Sequence, residues 1–161
     1  MTTTPAVDRL SPEQIEARLA QAPVAYLPLG TLEFHGPHLP VGLDALTAHG
    51  ICLGAAESAM SVVARTLGQA PAPPVVPDHA GRFESLVLHA LDPDLVHVDR
   101  LPDPETHPAP SGEDPYGATR HDPAHPLYGV FGADPRRLDV DAATPLLDHL
   151  VRWTASLGAA G

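Results

Sequence analysis

Lysine is absent from this 161-residue chain, and nine arginines face twenty acids. The resulting formal charge of −11 argues against nucleic acid and anionic membranes as partners, since both select cationic surfaces. Cysteine occurs once, so no internal disulfide can form. Cys52 falls in a helical pattern, where a small buried thiol is the natural reading. No apolar run approaches the roughly 20 residues of a membrane span. The opening Met1-Thr-Thr-Thr-Pro5 has neither the basic nor the apolar region of a secretory signal. The expectation is a cytoplasmic protein with a small-molecule substrate.

The 43% apolar fraction and near-neutral mean hydropathy suit one compact domain over 1–161 with a real core. Ser11 as N-cap, Pro12 at the first helical position and Gln14 as the third form a capping box. Leu10 and Ile15 are spaced for the accompanying hydrophobic staple. Pro23 ends that helix. Val24-Ala-Tyr-Leu-Pro-Leu29 then reads as a short buried strand, because a continuous apolar run suits a strand covered on both faces. An Ala-rich helix is expected over 45–67, terminated by Gly68, and a stiff Pro-rich linker over 70–77. Phe83–Leu91 reads as a helix stopped by Asp92-Pro93, and the alternation of 95–100 as a strand. Residues 102–126 hold seven prolines and should be irregular. A last helix starts between Asp141 and Pro145 and ends near Gly158.

The chemistry concentrates in Leu27-Pro-Leu-Gly-Thr-Leu-Glu33-Phe-His35-Gly-Pro-His38-Leu-Pro-Val-Gly-Leu-Asp44. Carboxylate and imidazole are ligands that zinc and manganese favour. On an extended segment Glu33 and His35 point to the same face, and Asp44 stands where the next helix begins. Each has a plainer reading. Glu33 and His35 serve equally as a solvated acid and a loop histidine, and Asp44 as the helix N-cap. His38 reads as structural or supporting rather than as a ligand. His49, His89, His97, His107, His121, His125 and His149 are scattered and take no role.

This stretch closely resembles the N-terminal signature of the creatininase family, metal-dependent amidohydrolases with a layered α/β fold. A second stretch, Asp78-His79-Ala-Gly-Arg-Phe83-Glu84-Ser-Leu-Val-Leu-His-Ala-Leu-Asp-Pro-Asp-Leu-Val96, resembles the family's His-Ala-Gly segment, its Glu-Thr-Ser element and the Pro-Asp-Leu-Val that follows. The resemblance implies an α/β fold with a small, mostly parallel sheet flanked by helices. It implies Glu33, His35, Asp44 and Glu84 as ligands of a divalent zinc or manganese. It also places Glu33, His35, His79 and Glu84 at the catalytic centre, with His79 set for proton transfer. The Thr of the Glu-Thr-Ser element is Ser85 here, and the following Ser is Leu86.

The departure from the family is large. Relatives carry a central portion with a Gly-His-Gly-Gly-Asn-like segment that supplies another metal-ligating histidine. Only about residues 60–77 occupy that interval, and no such segment exists in the chain. Losing it should leave a narrow sheet with an exposed edge, which association into a homo-oligomer would cover.

Three functions follow. One is an amidohydrolase acting on a small cyclic amide, lactam or lactone through metal-activated water. Another is a metal-independent cyclase, dehydratase or isomerase of bacterial specialised metabolism, using the same Glu/His/Asp pocket for acid–base catalysis. The last is a non-catalytic binding or assembly remnant.

Overall fold

The computed structural model describes residues 6–62, 78–108 and 121–159. Helix dominates. After a short 3-10 turn at Val7–Arg9 come α1 (Pro12–Gln21), α2 (Leu43–Val62), α3 (Arg82–Leu91) and α4 (Ala143–Ala159). The capping box forms as the sequence predicts. The Ser11 hydroxyl accepts from the Gln14 amide at 3.3 Å, and the Gln14 side chain accepts from the Ser11 amide at 2.8 Å. Helix α1 buries no residue and lies on the surface. Helix α2 packs mainly on α4, and α3 packs against both. At Gly54 a β-carbon would stand 2.8 Å from Val151, so the missing side chain lets α4 approach α2. The expected end of α2 at Gly68, the 70–77 linker and the middle of the Pro-rich segment lie outside the described residues. No described helix is long and apolar enough to cross a membrane.

The expected sheet is not formed among the described residues. Val24–Leu29 forms no strand there, and Leu27 and Leu29 are 77% and 76% exposed. A strand exists only where a neighbour completes its ladder, and local alternation does not supply that neighbour. The strand expected at 95–100 is replaced by two 3-10 turns, Pro93–Leu95 and Val98–Arg100. Pro93 presets the first turn, and amide-to-carbonyl bonds three residues apart close both. Leu95 and Val96 then pack on the core instead of joining a sheet. Cys52 is half-buried rather than buried, and what burial it has pushes its thiol pKa up.

The main core gathers Leu39, Leu43, Ala80, Leu88, Leu101, Leu127 and Val130. It therefore joins the first-motif loop, the start of α2, the turn before α3 and α3 itself, and the later loops. The one ladder contact among the described residues is an isolated antiparallel bridge between His79 and Phe131. Arg136 ties the Pro-rich segment down. Its guanidinium holds Asp134 through bonds of 2.8–3.2 Å and donates to the carbonyls of Pro102 and His107. Burial pushes the Asp134 carboxyl up, but the Arg136 bonds and charge outweigh it and hold the pKa below the ordinary value.

Candidate metal centre

Two helix starts and one loop converge. Residues 31–35 lie against the beginning of α2, drawn back by the Glu33 amide donating to the Val41 carbonyl at 3.1 Å. Gly30 makes this possible: a β-carbon there would overlap the backbone of Asp44 and Ala45. Gly36 turns the chain with φ 71°, a conformation that glycine adopts without penalty. Asp44 lies in the first turn of α2 and Glu84 in the first turn of α3, where the helix dipole favours anionic side chains. Asp44 is one residue inside its helix, and its carboxylate faces the loop, accepting from the Thr31 hydroxyl.

His35 is the hub and is fully buried. Its Nδ1 lies 3.1 Å from the Glu33 carbonyl oxygen, which can only accept, so Nδ1 carries a proton. Nε2 points at Asp44 Oδ1, 3.2 Å away, and Glu84 Oε2, 3.8 Å away. His79 stacks on this ring at 4.4 Å. The His79 Nε2 donates to the Phe34 carbonyl at 3.0 Å, and its Nδ1 stands 4.0 Å from Glu33 Oε1. Ligand atoms of His35, Asp44 and Glu84 all lie within 4.8 Å of one another, as do those of Glu33, His35 and His79. The five residues singled out by the two motifs thus come together. Side-chain exposure rises from 0% at His35 through 18% at Glu84 and 25% at Asp44 to 43% at Glu33, so the site opens to solvent on the Glu33 side.

Burial pushes the Glu84 pKa up to about 7. The Asp78 and Asp44 carboxylates add to the rise, and the Ala80 amide, donating at 2.7 Å, and His79 oppose it. Asp78 is raised chiefly by burial, against amide bonds from Phe83, Glu84 and Gly81 and the nearby His79. His38 is pushed down to about 4, mainly by burial; its bond to Ala80 works the other way.

The donor set fits a divalent ion. With Nδ1 committed to a carbonyl, the His35 Nε2 lone pair faces two carboxylates, and three acceptors in one place call for a shared cation or a proton. A ligating histidine anchored at its other nitrogen by a carbonyl is the usual metal-site arrangement.

Sequence reasoning missed three residues. Thr31 lies 3.2 Å from Glu33 Oε1 and bonds Asp44; the alternation that pairs Glu33 with His35 also reaches residue 31. Asp78 accepts the Phe83 and Glu84 amides at 2.8 and 3.1 Å and so fixes the start of α3. Ala80 holds φ 53°, for which its residue type gives no signal.

No curated protein and no solved structure matches the chain. Residues 8–77 match the family model Creatininase, described as creatinine amidohydrolase. That match ends just before the second motif, and the second motif folds onto the first. The match covers 70 of the 161 residues, less than half of the chain, so the likeness to creatinine amidohydrolase is confined to that stretch.

Proposed function

We propose that this protein is a metal-dependent hydrolase of the amidohydrolase type, opening a small cyclic amide, lactam or lactone. The observation that carries the reading is the buried His35 Nε2 facing Asp44 and Glu84 with its other nitrogen fixed. His35, Asp44 and Glu84 would hold the ion, with Glu33 and His79 beside it on the solvent side. Zinc or manganese held by these residues would supply Lewis acidity toward a water and a carbonyl oxygen. His35 offers a single available nitrogen, so its two ligand groups compete for it, and one ion is the natural occupancy.

The protein's own groups supply the rest. Without the ion, burial holds Glu84 near pKa 7, and taking up the ion would displace that proton, so metal binding is coupled to pH. The Glu33 carboxylate, the most exposed member, meets the substrate at the open side. His79, anchored through Nε2, presents Nδ1 beside Glu33 for proton transfer to the departing nitrogen once it is itself protonated.

Elemental analysis of the purified protein, followed by chelation and lactam or lactone hydrolysis assays, tests this. About one zinc or manganese per chain is expected, and loss of turnover on chelation; full turnover in metal-free protein would overturn it. That second outcome would favour metal-independent acid–base catalysis, for which Glu84 near neutrality is the supporting observation.

A further inference from the structure

His38 is fully buried, three residues beyond His35, and neither ligand group includes it. Its Nε2 lies 2.9 Å from the Ala80 carbonyl oxygen, 42 residues away. The carbonyl only accepts, so Nε2 carries the proton. Nδ1 is then a bare lone pair with no hydrogen-bond partner among the described residues. The ring edge at Nδ1 is packed against Gly36, where a β-carbon would stand 2.8 Å from that nitrogen. Burying an imidazole with one nitrogen unsatisfied is costly. The single bond it does make therefore marks its use.

That bond ends on the strained residue of the site. Ala80 is fully buried at φ 53°, the left-handed region, which an L-residue adopts only when its surroundings impose it. Its neighbours are fixed from outside: His79 exchanges two backbone bonds with Phe131, at 2.9 and 2.7 Å, and the Arg82 amide donates to Ala133 at 2.9 Å. Ala80 itself is held by two side chains. His38 donates to its carbonyl, and Glu84 accepts its amide at 2.7 Å.

We propose that His38 is a positioning residue: its Nε2–H, donated to the Ala80 carbonyl, fixes the left-handed turn at 79–81 that delivers His79 and Glu84 to His35. If that donor is lost, the peptide after Ala80 is free to rotate toward an ordinary conformation. The start of α3 then shifts, and Glu84 moves away from His35 and Asp44. The significance of this turn for an ion rests on the metal reading above, but the turn itself does not.

The test uses the full chain with His38→Leu, His38→Gln and the double variant His38→Leu/Ala80→Gly. Leucine fills the space without a donor. Glutamine restores an N–H donor at similar reach, and glycine adopts positive φ without help. Cobalt(II) titration, followed by visible absorption, reads the ligand set, and amide hydrogen exchange at residue 80 reads the turn. His38→Leu should weaken cobalt binding about tenfold or more, change its absorption bands and speed exchange at Ala80. His38→Gln should stay within about threefold of the parent with its bands unchanged, and the double variant should regain most of the affinity lost by His38→Leu. Parent-like binding and exchange in His38→Leu, or equal damage in the Leu and Gln variants, would overturn the proposal. Should His38→Leu not fold, His38→Gln decides alone: retained bands and slow exchange support the role, and loss of both overturns it. A parent protein that takes up no cobalt sinks the metal reading, while the exchange rates still judge the role of His38.

Discussion

At the scale of single residues, protonation of the site follows from burial. Glu84 has its pKa raised from 4.5 to about 7, so the folded chain binds this proton more tightly than the unfolded one. Its contribution to stability is complete below about pH 4.5 and is lost as pH rises through 7. His38, lowered from 6.5 to about 4, runs the opposite way: its contribution is present above 6.5 and lost as pH falls through 4. The two windows overlap and partly cancel in the parent, so the difference between variants is the informative quantity. In chelator-treated protein, Glu84→Gln should gain on the parent by about 2 kcal/mol between pH 4.5 and 7, after discounting for residual solvent at the carboxyl. Denaturant melts across that range measure it, and a constant difference would refute the raised pKa. The residue types of this site were legible because ligand chemistry needs them. The φ of Ala80 was not, since any alanine reads alike until a turn encloses it. Asp78 gave no signal for a similar reason: four residues before a helix it resembles any acidic loop residue, and only the fold shows its amide partners.

Among the elements, the joint between loop and helix is the most exposed to disruption. Gly30 lies against the first turn of α2, and a β-carbon there would meet backbone, which no rotamer change relieves. Gly30→Ala should lift the loop, part Thr31 from Asp44 and cost about 1–3 kcal/mol, a fall in Tm of several degrees for a chain of this size. Cobalt affinity should fall with it. Gly42→Ala is the control. Its added carbon would meet only Leu32, at an ordinary 3.6 Å, so its Tm and cobalt affinity should match the parent. Equal behaviour of the two variants would refute the close approach. Caps and stops were readable here because they act locally: Ser11 and Gln14 close their box, and Asp92-Pro93 ends α3. The strands expected at 24–29 and 95–100 do not form among the described residues, because an apolar run or alternation is a local pattern, whereas a sheet requires a second chain segment beside it.

On the scale of the whole molecule, two properties oppose each other. The surface is strongly acidic, −11 in formal charge, which keeps copies apart. Yet Leu27, Leu29, Leu32 and Val41 are 77%, 76%, 78% and 60% exposed, the first two on the segment just before the site. Such a segment offers both apolar side chains and backbone groups to a partner strand. Hydrophobic contact acts at short range, whereas repulsion between exposed charges weakens as the Debye length shrinks from about 10 Å at 0.1 M salt to about 3 Å at 1 M. Association into a homo-oligomer should therefore strengthen with added salt, opposite to an assembly held by surface ion pairs. Light scattering at micromolar concentration should give a mass above 16.9 kDa that rises between 0.05 and about 0.5 M sodium chloride. Replacing Leu27 and Leu29 together by glutamate should return the mass to that of one chain without lowering Tm, because neither side chain is buried in the single molecule. A parent that stays monomeric at every salt concentration would show that the acidic surface prevails over the exposed leucines, and the association would have to be abandoned.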